Sequence, residues 1–191
     1  AATDQNDEVR RKSGFMAAEL YQQAGAHRLA IDRYRLYLDT WPVPFAVAME
    51  SRYQLALLQQ EVGDEAGHRY WLKQIVQSHD TAGADADGRS LYLAAKAATA
   101  LAENSYRQFL STPISLPLNA SFSLKRRLMQ SAIGDAEKVL SYGLGEFVTQ
   151  ANFMLGDIYA SLSEELMASP RPPGLDALEL EQYDQDSDRR M

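Results

Sequence analysis

Cysteine is absent from this 191-residue chain. That excludes disulfide frameworks, zinc ribbons and thiol catalysis, and leaves the compartment open. Positive charge is scarce: 19 Lys and Arg stand against 26 Asp and Glu, for a net charge of -7. Nucleic-acid binders need a basic surface, so no nucleic-acid partner is expected. Long apolar runs are also lacking. The longest uncharged stretch, Gln108 to Leu124, carries Pro113, Pro117, Asn119 and several hydroxyl side chains that hydrocarbon would reject. No transmembrane segment is therefore expected. The chain begins Ala1-Ala2-Thr3 without an initiator Met, as a mature form or an excised fragment would, and no signal peptide remains to be read.

What is present points to helices. Hydrophobic residues make up 46% of the chain, enough for a folded core. Alanine, leucine, glutamine and glutamate recur with helical spacing, and strand-like alternation is rare. The pattern predicts an all-α fold, with helices near 8–24, 27–39, 45–62, 65–78, 89–109, 123–141 and 146–168 and a short one near 175–184. Gly25 and Gly63 suit left-handed helix ends, Pro42 and Pro44 cannot continue a helix, and the small, polar stretch Asp80–Gly88 reads as a loop. Ser169-Pro-Arg-Pro-Pro-Gly174 is a strong stop.

A repeat lies within this pattern. Ala18, Tyr21, Gly25, Ala30, Tyr34 and Pro42 supply a small residue, an aromatic, a glycine, an alanine, an aromatic and a proline at spacings that resemble the tetratricopeptide repeat. The alanines allow close helix approach, the tyrosines fill the space around them, Gly25 reverses the chain and Pro42 ends the second helix. A second copy has Leu55, Ala56, Gly63-Asp64 and Leu72, but Gln59 and His68 where an aromatic and alanine are expected. The Gly25-to-Gly63 spacing exceeds the usual period of about 34 residues, with the extra length around Trp41–Glu50. A third copy is split between Arg89–Leu110 and Ala132–Leu140, and a fourth is suggested by Leu155, Gly156 and Tyr159. The resemblance implies one domain over 1–191: antiparallel helix pairs stacked in a right-handed α–α superhelix. The repeats fall at about 11–44, 49–82, 89–142 and 146–169, with an irregular insertion at 108–124 and a cap and tail at 170–191.

Within the family, the segments Leu38-Asp-Thr-Trp-Pro42 and Ser51-Arg-Tyr-Gln-Leu-Ala56, with the Pro-rich tail, are similar to Gram-negative cell-envelope repeat proteins. That similarity implies a periplasmic or envelope location, with the cytoplasm as the alternative, and a chain excised from a longer protein. Such a piece would expose apolar surface at its C-terminal end and form weak homodimers.

Catalytic patterns are not found. His27, His68 and His79 lack the spacing of a zinc helix and read as exposed helix-end side chains. Asp85-Ala-Asp87-Gly88 would place Gly83 and Ala94 where a calcium loop needs acidic ligands, so a flexible acidic loop is expected. Gly143-Leu-Gly145 reads as a helix-to-helix turn. Asn119 with Ser121 or Ser123 is expected to cap the following helix. Lys125-Arg126-Arg127 reads as a solvated helix face, or else as a dock for an acidic partner or anionic headgroups. No cofactor or metal is expected.

Repeat stacks bind along a concave face. The resemblance assigns to that face Lys12, Phe15, Glu19, Gln22 and Gln23; Glu50, Tyr53, Leu57, Gln60 and Glu61; Tyr92, Lys96 and Thr99; and Gln150, Phe153 and Asp157. One position is aromatic in all four copies: Phe15, Tyr53, Tyr92 and Phe153. These rings either form a column for an extended or helical peptide, flanked by polar groups, or pack between repeats as core. In the insertion, Leu110, Ile114, Leu116, Leu118 and Phe122 predict a strand-like stretch that packs on its own superhelix or recruits a partner. The expected function is a non-enzymatic scaffold that binds a protein or peptide segment. The alternatives are a structural spacer and a helical enzyme using Glu19, Glu50 and Asp157.

Overall fold

The computed structural model describes residues 2–168, with side chains from Asn6 onward. Among the described residues seven α-helices follow one another: α1 (Ala2–Gln23), α2 (His27–Thr40), α3 (Phe45–Glu61), α4 (Glu65–Asp80), α5 (Gly88–Leu110), α6 (Leu118–Ser141) and α7 (Gly145–Ala168). There is no strand among the described residues. The chain divides into two compact units, Ala1–Leu101 and Ala102–Met191, so α5 contributes its first part to one and its last turns to the other. In the first unit α1 packs on α2, α2 on α3 and α3 on α4; in the second α6 packs on α7. The expected short helix at 175–184 and the tail at 170–191 lie outside the described residues.

The turns have local causes. Gly25 and Gly63 adopt φ of 71° and 77°, a region that a Cβ disfavours. The reversal at Gly25 joins the Ala26 N–H to the Tyr21 carbonyl at 2.9 Å and the Gly25 N–H to that of Gln22 at 3.0 Å. Gly63 repeats this pairing, with Asp64 to Gln59 at 2.8 Å and Gly63 to Gln60 at 3.0 Å. Both are Schellman ends, which satisfy carbonyls that a helix end leaves unpaired. Asp64 then caps α4, accepting the Gly67 N–H at 2.9 Å. The expected acidic loop at 80–88 is ordered by a 3-10 turn at Gly83–Asp85 and a capping box at α5. The Ser90 N–H donates to Asp87 Oδ1 at 2.7 Å, and the Asp87 N–H donates to Ser90 Oγ at 3.0 Å.

Small side chains allow close helix packing at the first core cluster. Ala18 and Ala30 are fully buried in a cluster with Ile31, Tyr34, Leu55 and Leu58. A second cluster in the same unit joins Met49, Ala56, Leu72, Ile75, Leu93 and Ala97 of α3, α4 and α5. Burial of each large aliphatic side chain contributes about 1.5–3 kcal/mol. His68 and Gln59, which stand where alanine and an aromatic are expected, make polar bonds. His68 Nδ1 lies 2.7 Å from the Ala56 carbonyl. In the amide orientation that satisfies its neighbours, buried Gln59 donates to Asp64 Oδ2 at 3.0 Å and accepts from Arg35 Nη2 at 2.5 Å.

The insertion expected at 108–124 is shorter and less strand-like. α5 continues to Leu110 and α6 begins at Leu118, so only Ser111–Pro117 is irregular. Pro117 stands at the N-cap of α6, where its missing N–H is harmless and the residues after it are free to coil. Of the five apolar side chains, Ile114 is buried, Leu118 and Phe122 are half-buried, and Leu110 and Leu116 are exposed. Nor do Asn119, Ser121 or Ser123 cap α6: Ser121 Oγ instead accepts the Ser115 N–H at 2.8 Å, while Ser123 Oγ donates to the Asn119 carbonyl. The histidines differ from expectation too. His27 stands 3.3 Å from Glu61 and His79 3.0 Å from Ser90 Oγ, and all three rings are half-buried, because each helix end is folded against a neighbour.

Candidate functional site: a pocket with an apolar floor

In the first unit, α1, α2, α3 and the start of α5 surround an open pocket of about 650 Å³. Its floor is apolar, formed by Phe15, Tyr37, Val47 and Met49, and its rim carries Arg11, Lys12, Glu19, Glu50 and Arg89. The floor is held from behind. The Phe15 ring meets Tyr34 and Tyr37 edge-on, with centroids 5.8 and 5.6 Å away, and Tyr37 leans on Trp41 at 5.8 Å.

The rim charges are largely matched. Arg89 grips Glu50 with two hydrogen bonds, Nε to Oε1 at 2.6 Å and Nη2 to Oε2 at 3.1 Å. That bond to Glu50 raises the Arg89 pKa above its ordinary value. Lys12 stands 2.7 Å from Glu8 on the same exposed face, and this partner holds the Glu8 carboxyl below its usual range. Beside the rim, the Ser90 backbone N–H lowers the Asp87 pKa. Ser90 Oγ, between Asp87 and His79, is engaged by both and 2% exposed. It holds a turn and offers no open nucleophile. Such a pocket can take up an apolar side chain from a segment whose backbone lies along a rim of both signs.

The residues assigned from sequence separate into groups. Lys12, Phe15, Glu19 and Glu50 line the pocket. Gln22 is committed inward: it donates to Gln54 at 2.9 Å and accepts from the Tyr34 hydroxyl at 3.0 Å. Burial pushes the Tyr34 hydroxyl up to about 12. Tyr53 and Tyr92 are half-buried against the second core cluster. Each carries a cation over its ring, Lys96 Nζ at 5.3 Å from Tyr53 and Arg89 Cζ at 5.8 Å from Tyr92. A hydrogen bond to Tyr53 raises the Lys96 pKa. Leu57 is half-buried, Gln23 and Gln60 are exposed, and none of the three lines the pocket; Glu61 faces His27. Thr99 is buried and donates to the Ala95 carbonyl.

In the second unit, Phe153 is 66% exposed, whereas Asp157 accepts the Tyr106 hydroxyl at 2.5 Å and Gln150 bonds Glu103. Desolvation, aided by Asp157, pushes Tyr106 up to about 12. Thus Phe15, Tyr53 and Tyr92 all lean on core clusters, and Phe153 alone of the four stands open.

Sequence reasoning missed Tyr37, Pro44, Val47, Met49 and Gln54, which also line the pocket. It also misplaced Lys125. That side chain is buried, not solvated, because it lies on the packed stripe of α6 with Ala132, Ala136 and Val139. Its Nζ donates to the carbonyls of Phe109 and Thr112 at 2.8 and 3.0 Å and to Glu165 Oε1 at 2.6 Å. Glu165 Oε2 also accepts the Ile114 N–H at 3.3 Å. Lys125 therefore fastens the end of α5 and the Ser111–Pro117 segment and is no dock for a partner, while Arg126 and Arg127 remain exposed.

Among the described residues, no group of three or more His, Asp or Glu side chains could hold a metal, and no helix is long and apolar enough to cross a membrane. No family model, curated protein or solved structure matches the chain.

Proposed function

We propose that the chain is a non-enzymatic scaffold of the tetratricopeptide type, in which helix pairs stack as a right-handed superhelix and hold a segment of a partner protein. The observation that carries this reading is the 650 Å³ pocket, whose lining includes Lys12, Phe15, Glu19 and Glu50. Those are residues that the repeat resemblance assigns to the binding face. An apolar floor inside a polar rim is the common anatomy of a peptide-binding patch. The paired Arg89 and Glu50 favour a segment anchored by an apolar side chain over one recognised by charge alone. The similarity to envelope repeat proteins supports a periplasmic or envelope location.

Selection of binders from a displayed random-peptide library tests the proposal. Wild type should enrich peptides that share an apolar anchor. Ala46→Trp, which places a large ring on an exposed residue of the pocket wall, should enrich none of them. Enrichment of the same peptides by both proteins would refute the pocket as the site. Enrichment of no peptide by wild type would favour a structural spacer.

A further inference from the structure

The face of α1 opposite its core side carries an uncovered apolar ridge. Val9, Met16 and Leu20 are 58%, 58% and 62% exposed. At about 100° of rotation per residue they fall within a sector of about 40°. The core residues Phe15, Ala18 and Tyr21 look the other way. Exposed Ser13 occupies the step between Val9 and Met16, so the ridge has coiled-coil spacing with one small residue in it.

The ridge is complementary to itself when reversed. If a second α1 lies antiparallel with Val9 facing Leu20, then Ser13 faces Met16, a small side chain against a long one, and both contacts occur twice. Lys12 and Glu19, both exposed and seven residues apart, flank the same edge of the ridge. The antiparallel arrangement brings each Lys12 beside the Glu19 of the other copy, giving two opposite-charge pairs. Lys12 already reaches along the helix to Glu8 with its side chain 67% exposed, so it is open to a second carboxylate.

We propose that this face of α1 is a homodimer interface, in which two copies pair their first helices antiparallel about a two-fold axis through Val9, Ser13, Met16 and Leu20, flanked by Lys12–Glu19 pairs. The arrangement is isologous, as expected of a closed dimer. It does not require the peptide reading: Lys12, Met16 and Glu19 also line the pocket, but Val9 and Leu20 do not.

Sedimentation equilibrium of the full chain, from micromolar to near-millimolar concentration and without peptide, tests it. Wild type should show a reversible monomer–dimer equilibrium that weakens as salt is raised. Leu20→Glu should abolish the dimer. Glu19→Lys should weaken it about tenfold, and Lys12→Glu combined with Glu19→Lys should restore it, with circular dichroism unchanged throughout. A wild type that stays monomeric, a dimer indifferent to Leu20→Glu, or a double swap no better than Glu19→Lys alone would each overturn the proposal.

Discussion

Lys125 Nζ lies 2.6 Å from Glu165 Oε1, with the lysine side chain 1% exposed and the glutamate 24% exposed. The pair joins α6 to α7, and the same ammonium also caps the last turn of α5 through the Phe109 carbonyl. Its ring contact is close as well, with Nζ 3.9 Å from the Phe109 centroid. Removing one member of a buried pair leaves the other without compensation, and two carbonyls lose their donor. Lys125→Met should therefore cost about 3 kcal/mol and Glu165→Gln about 1 kcal/mol. Because the side chains share one site, the combined variant should cost less than the sum. A double-mutant cycle by urea unfolding measures this, and strict additivity would contradict the coupling.

Glycines at turns and glycines inside helices should respond to alanine with opposite signs. At Gly25 and Gly63 a Cβ meets nothing within 4 Å, but φ is positive. Alanine there should cost about 1–2 kcal/mol from the backbone alone. At Gly134 and Gly156, inside α6 and α7, a Cβ also meets nothing within 4 Å and no positive φ opposes it. Alanine at those sites should stabilise by about 0.5–1 kcal/mol. Thermal unfolding of the four single variants checks the signs.

Two tyrosines make the fold sensitive to strong base. The hydroxyls of Tyr34 and Tyr106 are each pushed up to about 12 from an ordinary 10.0, chiefly by desolvation. A raised folded-state value favours the protonated phenol in the native protein. This contribution is complete below pH 10 and is lost as pH rises through about 12. Ultraviolet titration should show a tyrosinate phase near pH 12, together with falling stability. Tyr106→Phe should remove part of that phase and, at neutral pH, cost about 1 kcal/mol for the lost bond to Asp157.

Much of the helical plan was legible because it depends on local chemistry. Gly25, Gly63 and Gly143 marked turns, since a left-handed backbone is a property of the residue itself. Pro117 suggests an insertion because proline breaks a helix, but it does so only on its N-terminal side, and α6 follows it at once. Lys125 was hidden by its neighbours Arg126 and Arg127, which made a run of charge. The signal that reveals it is periodicity: it stands seven, eleven and fourteen residues before Ala132, Ala136 and Val139, on the buried stripe. Glu165 likewise lies seven residues beyond buried Ile158 on α7. Phe15 and Glu19, four residues apart, share one helix, which their spacing alone makes legible. Tyr37 and Arg89 were not assigned to the pocket, because their place in it comes from the packing of other helices against α1 and α3.

Calorimetric titration with one selected peptide tests the central claim most directly, using wild type, Ala46→Trp and Phe153→Ser. Ala46 is on the pocket wall and Phe153 is the exposed aromatic of the second unit, so neither substitution removes a core contact. A peptide held in the pocket predicts at least about tenfold weaker binding to Ala46→Trp, roughly 1.4 kcal/mol, and unchanged binding to Phe153→Ser. The reverse outcome, with affinity kept by Ala46→Trp and lost in Phe153→Ser, would contradict the pocket and move the binding face to α7.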